Sequence, residues 1–222
     1  GRAFHTARWD YDFTGGSPTE PMDALADKRV GIIGTGATSV QVVPQLARAA
    51  KEVYVFQRTP SSVGVRNNSF TDPEWWKTLE PGWQAERQAS FTSVVSGEHP
   101  EKDLVGDEWS KIWGTDTQSE PTTAEQAAAL EQHDFEVMET LRARIDDVID
   151  DPETAERLKP WYGKHCKRVT FHDEYLEAFN SPNVHMVDTD GRGVELMNAK
   201  GPVVDGEQYE IELLIYSSGF EV

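Results

Sequence analysis

The sequence predicts an α/β fold: a parallel sheet with a β-meander and an acidic helical insertion. Two apolar runs, Arg29–Ile33 and Glu52–Gln57, read as buried strands, because unbroken apolar residues suit a sheet covered on both faces. Between them, residues 38–50 place Val42, Val43, Leu46, Ala49 and Ala50 near helical spacing. Pro44 falls in the early turns, where a missing backbone donor costs least. Gly34 and Gly36 stand at the junction. Strand, glycine turn, helix and strand make a βαβ unit, so the expected sheet is Rossmann-like.

The middle of the chain carries helix-start chemistry. Asp72-Pro73-Glu74 and Asp151-Pro152-Glu153 each put a capping acid before a proline at the first helical position. Thr122 and Glu125 read as a capping box. Met138, Leu141, Ile145 and Val148 share one stripe, with Glu139, Arg142, Asp146 and Asp147 expected to face away. Residues 114–123 are polar enough for a mobile loop. Further on, 173–180 reads as a helix, and 184–187, 193–197 and 209–211 read as strands. Asp205-Gly206 is a hairpin turn, and Leu213–Tyr216 is an apolar strand for the middle of the sheet. The organisation is therefore 1–69 and 164–222 as two parts of one nucleotide-binding domain, with 70–163 as an insertion.

Charge bounds the partners. Lys and Arg number 21 against 39 Asp and Glu, a net charge of −18 over 222 residues. From 70 to 163 there are 22 acids and 8 bases, so most of the excess lies in the insertion, with six of the seven tryptophans. Such a surface repels a phosphate backbone, so nucleic acid is not an expected partner. A single cysteine, Cys166, excludes a disulfide framework and a cysteine-rich metal site, and no metal site is expected. No apolar run approaches the ~20 residues of a membrane span, and no signal peptide opens the chain, so a cytoplasmic location and no membrane partner are expected. The first residue is Gly1 rather than Met, which points to a piece of a longer protein.

The turn Gly34-Thr35-Gly36-Ala37-Thr38-Ser39 reads G-x-G-x-x-S between strand and helix. A dinucleotide needs a tight turn at the first glycine and bare backbone at the second, so that its pyrophosphate can approach the helix N-terminus. A small residue at Ser39 allows helix and strand to pack closely. The second strand then decides between nucleotides. An acid there accepts hydrogen bonds from a ribose 2′-hydroxyl. Here it ends Gln57-Arg58-Thr59-Pro60, with no acid, and Arg58 can grip a 2′-phosphate bidentately. The pattern favours NADP(H). A solvated surface arginine is the bland alternative. The candidate cofactor contacts are the six turn residues with Gln41, Arg58 and Thr59.

Further segments carry a family resemblance. Gly1, His5, Trp9 and Asp10 resemble the F-x-G-x-x-x-H-x-x-x-W-[P/D] fingerprint of flavin-dependent Baeyer–Villiger monooxygenases. Gln57-Arg58-Thr59-Pro60 resembles that family's second-strand end. Gly163-Lys164-His165-Cys166-Lys167-Arg168 resembles its segment with a cofactor-binding lysine and a catalytic arginine. Tyr216-Ser217-Ser218-Gly219-Phe220 is similar to its A-T-G-F turn, with Ser217-Ser218 in place of Ala-Thr. The resemblance implies insertion of oxygen beside a ketone carbonyl, giving an ester or lactone. It implies NADPH held here and FAD held by a flavin domain that this chain lacks, that domain and a small ketone being the partners. By the same resemblance Lys167 joins Arg58 at the 2′-phosphate, and Arg168 is the fixed cation of the oxygenation step. His5 and Trp9 are expected to order a linker and the cofactor contact.

Other residues read more blandly. Cys166 is expected to be a buried small apolar residue, and His172-Asp173 an exposed helix start. The tryptophan-rich stretch is expected to anchor the insertion. Two other functions fit the nucleotide pattern: a flavin monooxygenase that oxidises nitrogen or sulfur, and a non-catalytic NADP sensor.

Overall fold

The computed structural model describes residues 1–98, 100–113 and 121–219. Ten strands and seven α-helices alternate along them. The strands are β1 (Arg2–His5), β2 (Arg29–Ile33), β3 (Glu52–Gln57), β4 (Val63–Gly64), β5 (Thr170–Phe171), β6 (Val184–Asp188), β7 (Leu196–Asn198), β8 (Gly201–Val204), β9 (Glu207–Gln208) and β10 (Leu213–Tyr216). The helices are α1 (Tyr11–Thr14), α2 (Ala37–Ala49), α3 (Pro73–Lys77), α4 (Trp83–Val95), α5 (Glu108–Trp113), α6 (Ala124–Val148) and α7 (Pro152–Leu158).

The main sheet has the order β1-β10-β2-β3-β6, and every pairing in it is parallel. Its three inner strands are the continuous apolar runs: Val30, Ile32, Val53, Val55, Leu213 and Ile215 have no exposed surface. Helix α2 covers one face through Val40, Val43 and Leu46. Pro44 lies in the interior of α2, beyond the early turns expected for it, and so withdraws one backbone donor from the helix. All strand ends that matter for a ligand therefore lie on one edge, at Ile33, Gln57, Asp188 and Tyr216. From β2 the chain moves out to β3 and β6, while β10 and β1 lie on the other side. The crevice between β2 and β10 is thus a topological switch point, where ligands of open α/β sheets bind.

The meander is β7-β8-β9, antiparallel throughout. Asp205 and Gly206, both at positive φ, make its second turn, as expected from the sequence. Its strands are shifted from the expected 193–197 and 209–211, because Gly201–Val204 takes the central place and pairs on both sides. β1 is an edge strand that the sequence pattern did not disclose. Its burial is partial, and pairing with β10 alone makes it extended.

The acidic middle is helical where described, with several corrections in detail. Asp72 and Asp151 cap α3 and α7 as expected. The cap of α6 is Thr123, which accepts from Gln126 N, so the expected Thr122–Glu125 box lies one residue too early. Arg142 does not face away. It is buried, donating to the Pro160 carbonyl at 3.0 Å and to Glu139, with its guanidinium 4.7 Å from the Trp161 ring centroid. Ile145, Ile149, Ala155 and Leu158 join the main core, while Met138 and Leu141 form a second cluster with Val169 and Phe171. No helix formed at 173–180 beyond a 3₁₀ turn at Glu177–Asn180. Asp173 spends its carboxylate on the backbone N–H groups of Arg66, Asn67 and Asn68 instead. Trp75, Trp76 and Trp83 pack on one another near the surface, and Trp109 alone of the described tryptophan side chains in 75–113 joins the second cluster. The loop expected at 114–123 falls mostly outside the described residues.

Candidate functional site

A cavity of about 540 Å³ opens at the carboxyl edge of the sheet. Gly34, Thr35, Gly36, Ala37 and Thr38 form one wall, Arg58, Thr59 and Ser61 a second, and Lys167, Arg168 and Thr170 a third. Ile33, Phe56, Thr189, Gly193, Val194 and the turn Ser217-Ser218-Gly219 complete it. None of the lining residues is acidic.

The two glycines have different reasons to be glycine. Gly34 has φ +112°, and a Cβ there would collide with the Ser217 carbonyl oxygen of the neighbouring strand end. Gly36 has ordinary backbone, and a Cβ there would meet nothing within 4 Å. Its bareness matters only to something that enters the cavity. Gly36 is the N-cap of α2 and no side chain caps that end, so the first-turn N–H groups and the positive end of the helix dipole are available to an anion. Ser39 is fully buried beneath the turn, as close helix–strand packing requires, and does not line the cavity.

The second and third walls gather cations. Arg58 is exposed at the end of β3. Lys167 donates to the Thr59 hydroxyl and to the Pro60 carbonyl. Burial, followed by the neighbouring Arg58 charge, pushes the Lys167 ammonium below its ordinary pKa. Arg168 is exposed on the same wall and has no ion-pair partner among the described residues. The Thr35 hydroxyl reaches across to the Thr59 carbonyl at 2.8 Å and ties the glycine turn to the cation wall.

No family model matches the chain. Among curated proteins it is 54% identical to the Baeyer–Villiger monooxygenase ATR8 of Stachybotrys chlorohalonatus, covering 100% of this chain and 36% of that protein. Along its whole length the chain is similar to part of a Baeyer–Villiger monooxygenase. It is 48% identical to the neopentalenolactone D synthase of Streptomyces avermitilis, over 100% of the chain and 38% of the relative. A solved structure of a polycyclic ketone monooxygenase from Thermothelomyces thermophila superposes with TM-score 0.89 at 46% identity, over 99% of this chain and 37% of that one. A structure of OTEMO in complex with FAD and NADP gives 0.74 at 27% identity, over 100% and 42%. The chain thus spans little more than a third of the length of the curated Baeyer–Villiger relatives it matches.

The family fingerprint lies apart from the cavity lining. His5 ends β1, accepting from Ala7 N and meeting the Gly219 carbonyl at 3.1 Å, so it steadies a lining turn from behind. Trp9 donates to the Thr14 hydroxyl and packs edge-on against Phe4. Asp10 caps α1 and pairs with Arg2, and Gly1 passes close to the Glu212 carbonyl. Gln41 is also outside the lining, on the exposed face of α2, donating back to the Ala37 carbonyl. Cys166 is exposed, contrary to expectation, because its 3₁₀ turn directs Lys164 inward instead. Phe220 of the last motif lies outside the described residues. Sequence reasoning missed Ser61, Thr170, Thr189, Gly193 and Val194. For Thr189 a signal existed: it follows β6, and every parallel strand of this sheet ends on the same edge.

Proposed function

We propose that the cavity binds NADP(H) and that the chain is the nicotinamide-nucleotide-binding part of a flavin-dependent monooxygenase that inserts oxygen beside a ketone carbonyl. One observation carries the nucleotide: in a chain of net charge −18, the lining holds Arg58, Lys167 and Arg168 and no acid. Burial and the nearby Arg58 charge both disfavour the charged form of Lys167, an arrangement that a 2′-phosphate dianion relieves. The α2 N-terminus takes the pyrophosphate over the bare Gly36. The names of the relatives and of the OTEMO complex, which contains FAD and NADP, support both the nucleotide and the flavin.

In this reading each residue does limited work. Arg58 and Lys167 select the 2′-phosphate, Thr59 orients Lys167, and Gly34 and Gly36 admit the pyrophosphate. The bound nucleotide supplies a hydride for reducing the flavin, which the remaining length of the protein would hold. Arg168 supplies a fixed positive charge to the oxygenation site. Residues 70–163 serve as an insertion, since β4 and β5, which flank them, pair directly with each other.

Calorimetric titration with NADP⁺ and NAD⁺ tests the nucleotide assignment. NADP⁺ should bind more tightly, and Arg58→Ala should remove most of the difference. Loss of one charge-assisted hydrogen bond costs roughly 1.5–3 kcal/mol, or about one to two decades of affinity. Equal affinities in the unmodified chain would refute the proposal.

A further inference from the structure

The Lys167 ammonium is held by more than its two oxygen acceptors. It lies 5.3 Å from the centroid of the Tyr162 ring. Tyr162 Oη donates at 2.8 Å to the Pro60 carbonyl, the same oxygen that Lys167 approaches at 3.4 Å. Ser62 Oγ donates to Tyr162 Oη at 3.2 Å. The turn 59–62 is therefore gripped on one side by Thr35 and on the other by Tyr162. Behind its ring stands the second core cluster of Met138, Leu141, Val169 and Phe171, so the tyrosine is backed by packed side chains.

Lysine is a point charge on a flexible stem, with no fork to fix its direction. Beside Arg58 it is repelled, and partial burial deprives it of water. An aromatic face attracts such a cation, and more strongly when the cation is partly desolvated. Without the ring, only the Thr59 hydroxyl and the Pro60 carbonyl would hold the ammonium beside Arg58. Tyr162 itself does not line the cavity, so it can reach a ligand only through Lys167.

We infer that Tyr162 is a positioning residue that holds Lys167 beside Arg58 and thereby sets the preference for a 2′-phosphorylated nucleotide. The inference rests on the NADP(H) reading and adds a specificity determinant to it. The 2′-hydroxyl of NAD⁺ makes no demand on a second cation, so Tyr162 should matter to one nucleotide and not to the other.

The test is calorimetric titration of the chain and of Tyr162→Leu and Tyr162→Phe with NADP⁺ and with NAD⁺. The leucine variant should bind NADP⁺ about tenfold more weakly, within the span of a partly desolvated cation–π contact, with NAD⁺ unchanged. The phenylalanine variant keeps the ring and loses the tether to Pro60, so it should lose less. An unchanged ratio of the two affinities in Tyr162→Leu would overturn the inference. Should that variant lose the native circular dichroism, Tyr162→Met, which fills the same space without an aromatic face, takes its place, and an unchanged ratio there would do the same. Parallel weakening of both nucleotides would also overturn it, because a purely structural role predicts that. If the unmodified chain shows no NADP⁺ preference, the nucleotide reading itself falls. A preference that survives in both variants removes Tyr162 alone.

Discussion

Gly34 lies directly beneath the carbonyl of Ser217, with no room between them for a side chain. The closeness joins the end of β2 to the end of β10 at the switch point of the sheet, where the cavity opens. Gly34→Ala meets both a collision with backbone and a positive φ of 112°. It should destabilise the fold by roughly 1–3 kcal/mol, the usual cost of a strained backbone position, and thermal unfolding would register it.

Gly36→Ala should behave in the opposite way. The backbone there is ordinary and the space for a Cβ is open, so the melting temperature should hold or rise slightly. NADP⁺ affinity should nevertheless fall at least about tenfold, because the added methyl occupies the approach of the pyrophosphate. A variant that keeps wild-type affinity would move the pyrophosphate away from this helix end.

Lys167 and Arg168 are adjacent in sequence but should separate in their effects. Lys167→Ala should weaken NADP⁺ binding by about one to two decades. Arg168→Ala should leave that affinity nearly intact while removing ketone oxygenation in a longer protein that carries the flavin. Replacing Arg168 with lysine should not restore it fully, since an ammonium cannot reproduce a planar fork. Burial and Arg58 hold the Lys167 pKa below its ordinary value, and a bound phosphate would raise it again. NADP⁺ binding should therefore take up protons at alkaline pH and weaken as pH rises. Titration in buffers of different ionisation enthalpy measures the uptake.

Glu212 gives a pH dependence of stability. It accepts from Arg29 N at 2.8 Å and from the Arg29 guanidinium at 2.6 Å, tying the strand β2 to the start of β10. Hydrogen bonding to Arg29 lowers its pKa from 4.5 to about 2. A depressed carboxylate stabilises the fold above its unfolded pKa, and the contribution fades as pH falls from about 4.5 towards 2. Glu212→Gln should lower the melting temperature at neutral pH, with the deficit closing over that acidic window. A deficit independent of pH would assign the effect to packing.

How much of the molecule was legible follows from what each residue's environment depends on. The βαβ unit could be read because β2, α2 and β3 advertise their burial locally, through unbroken apolar runs and a helical stripe. Arg58 was legible as a cation at the end of the second strand, where an acid would otherwise stand, and Lys167 only through the family-like segment 163–168; both line the cavity. Arg142 was misread because its burial depends on Trp161 and the Pro160 carbonyl, which the helical period cannot reveal. Asp173 looked like a helix cap, and its carboxylate instead serves a loop over a hundred positions away. Thr189 enters the cavity only because β6 pairs with β3, a contact between distant segments.

A crystal structure of the chain with NADP⁺ bound tests the central claim most directly. The 2′-phosphate oxygens should lie within hydrogen-bonding distance of the Arg58 guanidinium and the Lys167 ammonium, with the pyrophosphate over Gly36 at the N-terminus of α2. A nucleotide whose 2′-phosphate points to solvent, away from both cations, would contradict the account.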